Sequence, residues 1–173
     1  MNEIIGRPEA DELAPDFVKS VNLVSGNDIL TQLDRQLETT LSFLKGITEE
    51  HSLYRYAPEK WSIREVLGHL IDAERIMAYR ALRFSRGDRT PVPGFEQDDY
   101  VKLASSDDRS LQDLTAEFEF VRKANACMFR SLSAEAWQRK GVASGNEVSV
   151  RALAYIIAGH ELHHLGVLRS CYA

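Results

Sequence analysis

Apolar residues recur every three or four positions in four long segments of the chain, and this spacing predicts amphipathic helices. The segments cover roughly residues 28–46, 62–85, 110–131 and 149–172. No segment alternates convincingly between apolar and polar residues with a period of two. We therefore expect an all-α protein.

Local signals mark where the predicted helices begin and end. Ser62 and Glu65 have the spacing of a capping box at the start of the second helix, and the stretch RGDRTPVPG ends that helix. The stretch SAEAWQR predicts a short additional helical turn after the third helix, and ASGNE predicts a turn before the fourth.

Four helices of this length are typical of a four-helix bundle, and the loop lengths indicate its topology. Residues 86–109, between the second and third helices, are rich in proline, glycine and aspartate and are long enough to cross a bundle roughly 30 Å long. We therefore predict an up-down-down-up bundle with a long crossover between helices two and three. The chain, residues 1–173, is expected to form a single domain in which residues 1–26 are an N-terminal extension packed on the bundle.

Composition narrows the possible partners. The formal net charge is −5 without a basic block, which argues against nucleic acid or an anionic membrane surface and favours a small-molecule substrate. No apolar run has the length of a membrane span, and the first residues do not resemble a signal peptide, so we expect a cytoplasmic protein. Cys127 and Cys171 have no disulfide-framework or metal-site spacing and are expected to be buried in helices.

The stretch GHELHH, residues 159–164, fits the H-E-x-x-H pattern of zinc peptidases. The stretch LGVLRSCYA follows His164, and it contains no further metal ligand of the kind that zinc peptidases use. An all-helical bundle also offers no edge strand for an extended peptide. The pattern therefore indicates a metal site but not a zinc peptidase.

The predicted topology brings a third histidine to the same depth in the bundle. His69 lies about 10 Å along the second helix from Ser62, and His164 lies about 12 Å along the fourth from Tyr172. Antiparallel helices place these depths side by side. Several buried imidazoles without a metal would each need separate hydrogen-bond partners, so we favour a mononuclear metal site of His69, His160 and His164.

Two alternatives concern the residues beside this site. A di-iron site would need a second Glu-x-x-His pair besides Glu161 and His164, and the sequence lacks one. The second alternative is that His163, and not His164, is the metal ligand that accompanies His160. His163 aligns with Gly159, Gly166 and other small residues, whereas His164 aligns with an apolar stripe, so we expect His163 to point beside the metal.

Three histidine ligands leave a coordination position open, which is typical of a catalytic ion. Nickel, zinc, iron or manganese suits such a site and would activate water or a low-molecular-weight thiol. Glu161 is a candidate for a general base, and the alternative is a surface carboxylate or a support for a metal ligand. The rim is expected to come from the loop before helix two, the end of the crossover and the C-terminus. The candidates for substrate binding there are Tyr56, Trp61 and Asp98.

Two long stretches, RYAPEKWSIREVLGHLIDAERIMAYRALRFSRGD and GNEVSVRALAYIIAGHELHHLGVL, resemble the DinB-like, or YfiT-like, superfamily of bacterial four-helix-bundle metalloproteins. The resemblance covers nearly the whole chain. It implies a divalent metal bound by His69, His160 and His164, and frequently a homodimer. The relatives include thiol-dependent transferases and isomerases and hydrolases, so the expected function is a metal-dependent hydrolase or thiol S-transferase. The alternative is a non-catalytic metal-binding bundle of stress-response type.

Overall fold

The computed structural model describes residues 5–172. In chain order its helices are α1 (Pro15–Leu23), α2 (Ile29–Lys45), α3 (Ile63–Ser85), α4 (Gln97–Ala104), α5 (Leu111–Arg130), α6 (Ala134–Gln138) and α7 (Val150–Cys171). Two strands, β1 (Lys140–Ala143) and β2 (Asn146–Ser149), precede α7, and short 3-10 turns cover Ala10–Glu12, His51–Leu53 and Ser106–Asp108.

The four predicted long helices correspond to α2, α3, α5 and α7. Helices α2 and α3 each pack against both α5 and α7, so the four form a bundle. At one end, Arg64 near the start of α3 donates to the carbonyl oxygen of Arg109, just before α5. Further along both helices, Arg122 of α5 donates to Glu74 of α3. Helices α3 and α5 are therefore parallel, as predicted.

Helix α7 runs in the opposite direction to α3. The hydroxyl of Tyr172, at the end of α7, donates to the carbonyl oxygen of Trp61, just before α3. Arg139, which precedes α7 along the chain, donates to the carbonyl oxygen of Ser85 at the end of α3. The predicted up-down-down-up four-helix bundle is confirmed.

Side-chain caps fix the starts of the long helices. The Asp28 carboxylate accepts a hydrogen bond from the Thr31 amide, and Ser62 and Glu65 form the predicted capping box. Ser110 and Ser149 accept from the third amide of α5 and α7 in the same way. Each cap satisfies a backbone donor that the helix leaves free, so these boundaries could be located in the sequence.

The expectation that no strand is present was wrong for a short segment before α7. Strands β1 and β2 pair antiparallel, from Lys140 with Ser149 to Ala143 with Asn146. Ser144 and Gly145 form the turn, both with positive φ, within the ASGNE stretch predicted as a turn. Four-residue strands are too short to show a convincing period of two. The protein remains mostly helical because this hairpin is small.

The N-terminal segment lies on the bundle through α1, which packs against α7. The contact is close, since a Cβ atom at Gly159 would lie 2.2 Å from the carbonyl oxygen of Ser20. Residues 1–4 of the expected extension, and residue 173, lie outside the described residues. Within residues 5–172, no helix combines the length and the hydrophobicity of a membrane span.

The cysteines differ from the prediction. Cys127 on α5 and Cys171 at the end of α7 are both exposed, not buried. The expectation rested on the average burial of cysteine, whereas the helix face that each residue occupies decides its exposure.

Candidate metal centre

Three histidine rings meet between α3 and α7. The Nε2 atom of His69 on α3 lies 3.0 Å from Nε2 of His160 on α7, and Nε2 of His164 lies 3.1 Å from the same atom. One ring nitrogen from each of the three lies within 4.8 Å of the others. The antiparallel packing of α3 and α7 thus brings together the three residues that the sequence places at equal depth.

Burial keeps these rings neutral. Desolvation lowers the pKa of His69 to about 4, and the nearby Asp98 carboxylate opposes this only in part. Burial, together with the neighbouring imidazoles, lowers the pKa of His160 to about 2 and that of His164 to about 3. At neutral pH the rings are therefore uncharged, which is the form that coordinates a metal.

The donor set fits a single divalent transition-metal ion. Tetrahedral coordination at about 2.1 Å would separate two ligand nitrogens by about 3.4 Å, close to the observed 3.0 and 3.1 Å. Neutral imidazole suits zinc, nickel, copper and iron. The three residues could therefore hold an ion without a large rearrangement of the helices.

His163 lies outside this cluster. Its side chain is exposed, and its ring centroid lies 5.0 Å from that of His164. Gly159, on the row of small residues, faces Ser20 of α1 instead of the cluster. The structure therefore places α7 in the rotation expected from its apolar stripe.

Trp61 covers one side of the cluster. Its ring centroid lies 4.9 Å from that of His69 and 6.4 Å from that of His164. The Tyr172 hydroxyl donates to the Trp61 carbonyl oxygen at 2.6 Å. Burial raises the pKa of Tyr172 to about 12, so the hydroxyl keeps the proton that it donates.

Two cavities reach the cluster from different directions. The outer pocket, about 390 Å³, is lined by His164 and by all three predicted candidates for substrate binding, Tyr56, Trp61 and Asp98. The inner cavity, about 440 Å³, has His69 and His160 in its wall and is lined by residues of α3, α5 and α7. Asp98, at the start of α4, lines both.

The inner cavity was not expected from the sequence. The prediction built the site from loops at one end of the bundle, which describes only the outer pocket. The inner cavity extends along α3 from His69 to Arg80, and Phe17 of α1 and Phe95 of the crossover also line it. Its shape therefore depends on segments outside the four long helices.

Glu161 is buried at 1% exposure, so the alternative of a surface carboxylate was wrong. It accepts a hydrogen bond from Thr40 Oγ1 at 2.6 Å, and its second oxygen forms an ion pair with Arg122 Nη2 at 2.8 Å. Arg122 also pairs with Glu74. Burial alone would lower the pKa of Arg122, but the carboxylates of Glu161 and Glu74 raise it above its usual value. Glu161 is thus held by two partners beside His160 and lines the inner cavity.

Two buried arginines that line the inner cavity, Arg80 and Arg122, were not predicted from the sequence. Arg122 continues the apolar row of Leu114 and Phe118 at a spacing of four, which was an available signal of burial. Arg80 follows Met77 by three residues on α3 in the same way. Arginines on an apolar row are paired or functional more often than exposed ones, because burying a charge without compensation is unfavourable.

Comparisons with known proteins agree with this architecture. The chain is similar to the solved structure of YfiT from Bacillus subtilis, a probable metal-dependent hydrolase with an unusual four-helix bundle topology. The TM-score is 0.72 and the identity 14%, and the match covers 96% of this chain and 91% of YfiT. A second similar structure is a mycothiol-dependent maleylpyruvate isomerase, with a TM-score of 0.68 and 11% identity over 84% of this chain and 61% of that one.

At these identities the two structures establish a shared fold. A search among curated protein sequences found no match. A sequence profile of the DinB superfamily matches residues 32–168, a range that includes α3 and α5, most of α2 and α7, and all three clustered histidines. The chain therefore belongs to the DinB superfamily.

Proposed function

We propose that this protein is a divalent-metal-dependent enzyme that acts on a small molecule, of hydrolase or thiol S-transferase type. The observation that carries the proposal is the convergence of His69, His160 and His164 between two cavities, since His69 and His160 line the inner cavity and His164 lines the outer pocket. A cavity of about 440 Å³ has the size of a small-molecule site.

A three-histidine site leaves a coordination position open, as catalytic sites do. A bound nickel, zinc, iron or manganese ion would supply Lewis acidity, which lowers the pKa of a water or of a low-molecular-weight thiol and yields a nucleophile near neutral pH. YfiT is a probable metal-dependent hydrolase and the isomerase depends on mycothiol, and these two similar proteins motivate the two reaction types.

The residues of the chain itself orient the site and limit water. Trp61 covers His69. Glu161, which lies on the same turn of α7 as His160, is held by Thr40 and Arg122. We infer that Glu161 stabilises the position of α7 beside the metal instead of acting as a free base, because one of its oxygens accepts a hydrogen bond from Thr40 and the other is ion-paired with Arg122. Tyr56 and Asp98 lie where they would contact a substrate or thiol that enters through the outer pocket.

The second candidate is a non-catalytic metal-binding bundle. The same three histidines would serve it, but it gives no role to the inner cavity. A zinc peptidase stays outside the proposal because the third histidine of the cluster, His69, lies upstream on α3 and not downstream of the motif. The β-hairpin does provide strand edges, but Ser149 is about 16 Å along α7 from His160, which separates those edges from the histidines. A homodimer and a cytoplasmic location also remain predictions.

The test begins with elemental analysis of protein purified without a histidine tag. We expect one divalent ion per chain, and we expect His69→Ala to lose it because one of three ligands is missing. Loaded protein is then screened with ester and amide substrates, and with small thiols together with electrophiles.

Turnover that depends on His69 supports the enzyme. Metal without turnover across the screen favours the binding module. Undiminished metal in His69→Ala would overturn the site itself.

A further inference from the structure

Arg80 is a buried cation in the wall of the inner cavity. It projects from α3, is 3% exposed and lines the cavity. Its Nη2 donates to the Pro93 carbonyl oxygen and to Ser144 Oγ, each at 3.0 Å. Nη1 has only the Met77 sulfur at 3.6 Å, and the buried Nε has no partner. The ion pairs found in residues 5–172 do not include Arg80.

The comparison with Arg122 shows what Arg80 lacks. Both guanidinium groups are buried, but Arg122 has the carboxylates of Glu74 and Glu161 beside it. An arginine keeps its charge inside a protein, so a buried one without an anion is unfavourable. Burial lowers the pKa of Arg80, in the direction expected for an uncompensated cation. An anion in the cavity would remove this imbalance.

The position of Arg80 sets the length of such a ligand. Residue 80 lies eleven positions after His69 on α3, which is about 16 Å along the helix axis. The contact with Met77 shows that the side chain leans back toward the start of the helix, as helical side chains do. The guanidinium therefore lies roughly 12 Å along the axis of α3 from the backbone of His69.

The other charges of the cavity favour a singly charged ligand. Glu74, Glu96, Asp98 and Glu161 line the cavity, and the single charge of Arg122 is shared between Glu74 and Glu161. A dianion such as phosphate would add twice as much negative charge to this lining as one carboxylate, which matches the one guanidinium without an anion.

We propose that Arg80 binds the carboxylate of an elongated monocarboxylic acid that fills the inner cavity. The assignment of the reacting end of this acid to the histidines rests on the proposed function, and the carboxylate site itself does not.

A purely structural role is the rival explanation, because Arg80 also fastens the crossover at Pro93 to the hairpin at Ser144. Ser144→Ala is the matched control, since it removes one of these two bonds and leaves the charge in place. Ser144 already has a positive φ of 52°, a conformation that alanine tolerates about as well as serine.

The experiment compares hexanoate with hexanamide by titration calorimetry on the full chain, both metal-free after dialysis and metal-loaded. We expect metal-free wild type to bind the acid at least about tenfold more tightly than the amide, as charge-assisted hydrogen bonds provide. Arg80→Met should lose this preference, and Ser144→Ala should retain it.

Equal binding of acid and amide by wild type would overturn the proposal, and so would an unchanged preference in Arg80→Met. Inorganic phosphate that binds as tightly as hexanoate would overturn the assignment to a carboxylate. If Arg80→Met does not fold, the ¹⁵N–¹H signal of Arg80 Nε in wild type decides. It should shift with hexanoate and stay in place with hexanamide, and the opposite result contradicts the site.

Metal content separates this proposal from the proposed function. Arg80→Met should keep one ion per chain, because Arg80 lies far from the histidines along α3. If wild-type protein binds its metal but does not prefer the acid to the amide, only the carboxylate site is contradicted. If wild-type protein prefers the acid but binds no metal, only the proposed metal-dependent function is contradicted.

Discussion

At the scale of single residues, buried charge explains much of the interior of this protein. Arg122 is 1% exposed and is paired with both Glu74 and Glu161, whereas Arg80 has hydrogen-bond partners but no carboxylate. The sequence indicates that both arginines interrupt apolar rows. It does not indicate that Arg122 meets two carboxylates and Arg80 none, because Glu74 and Glu161 lie on other helices than Arg122 and reach it only through the bundle packing.

The adjacent histidines of α7 provide the sharpest test of the site. His164→Ala should abolish metal binding, because its Nε2 lies with those of His69 and His160. His163→Ala should keep the metal, since that ring is exposed and outside the cluster. Inductively coupled plasma analysis of the two variants, purified in parallel, measures the difference. Metal lost with His163 and kept with His164 would mean that α7 is rotated by about 100° from its place here.

The lowered histidine pKa values predict how the stability of the metal-free protein depends on pH. The folded values are about 4 for His69, about 2 for His160 and about 3 for His164, all below the ordinary 6.5. Below pH 6.5 the unfolded chain therefore takes up protons that the folded chain does not. The free energy of unfolding should fall as pH drops from 6.5 to 5, by at most about 1.4 kcal/mol per pH unit for each histidine.

Urea unfolding of metal-free protein at several pH values between 6.5 and 5 measures this slope. The variant His160→Gln has one such histidine fewer and should show a shallower slope. Identical slopes in the two proteins would show that His160 does not contribute to the pH dependence of the free energy of unfolding.

At the scale of elements, the predictability of each one follows its length and its end signals. The long helices carry two or more turns of apolar periodicity and side-chain caps, such as Asp28 and Ser62, that can be recognised locally. Helix α4 has only eight residues and no side-chain cap, and it was not predicted. The hairpin depends on partners outside itself, since Val92 of the crossover donates to the Val142 carbonyl oxygen. Such short elements are stabilised by tertiary contacts more than by local sequence.

Two glycines of α7 form a matched pair for testing how α1 is held. A Cβ at Gly159 would lie 2.2 Å from the Ser20 carbonyl oxygen, so Gly159→Ala should push α1 away from α7. A Cβ at Gly166 would meet nothing within 4 Å. Gly166→Ala should therefore stabilise the protein by up to about 1 kcal/mol through helix propensity alone.

Hydrogen exchange of the amides in Pro15–Leu23 reports on α1 directly. Exchange should accelerate in Gly159→Ala and stay unchanged in Gly166→Ala. Unchanged exchange in both variants would mean that α1 adjusts to the added methyl group without losing its place.

At the scale of the whole molecule, the arrangement of the four helices could be predicted, but the inner cavity could not. The length of the crossover, together with the equal depth of His69 and His164, was enough to choose the topology. The cavity depends on where side chains leave space, and on cover from Phe17, Phe95 and Ser144 in segments that no periodicity places. The sequence therefore locates the three clustered histidines but does not reveal the inner cavity that His69 and His160 line.

The proposed metal site takes its histidines from both α3 and α7, so a bound ion should stabilise the folded chain as a whole. An ion that binds only the folded state at a free concentration of 100 times its Kd adds about 2.7 kcal/mol. For a chain of 173 residues this corresponds to a rise in Tm of about 5–10 °C. Scanning calorimetry of metal-free and zinc-loaded protein measures the rise. His163→Ala should preserve it, and His69→Ala should abolish it because α3 then contributes no ligand. An equal rise in His69→Ala would place the stabilising ion elsewhere in the protein and would contradict a site that bridges the two helices.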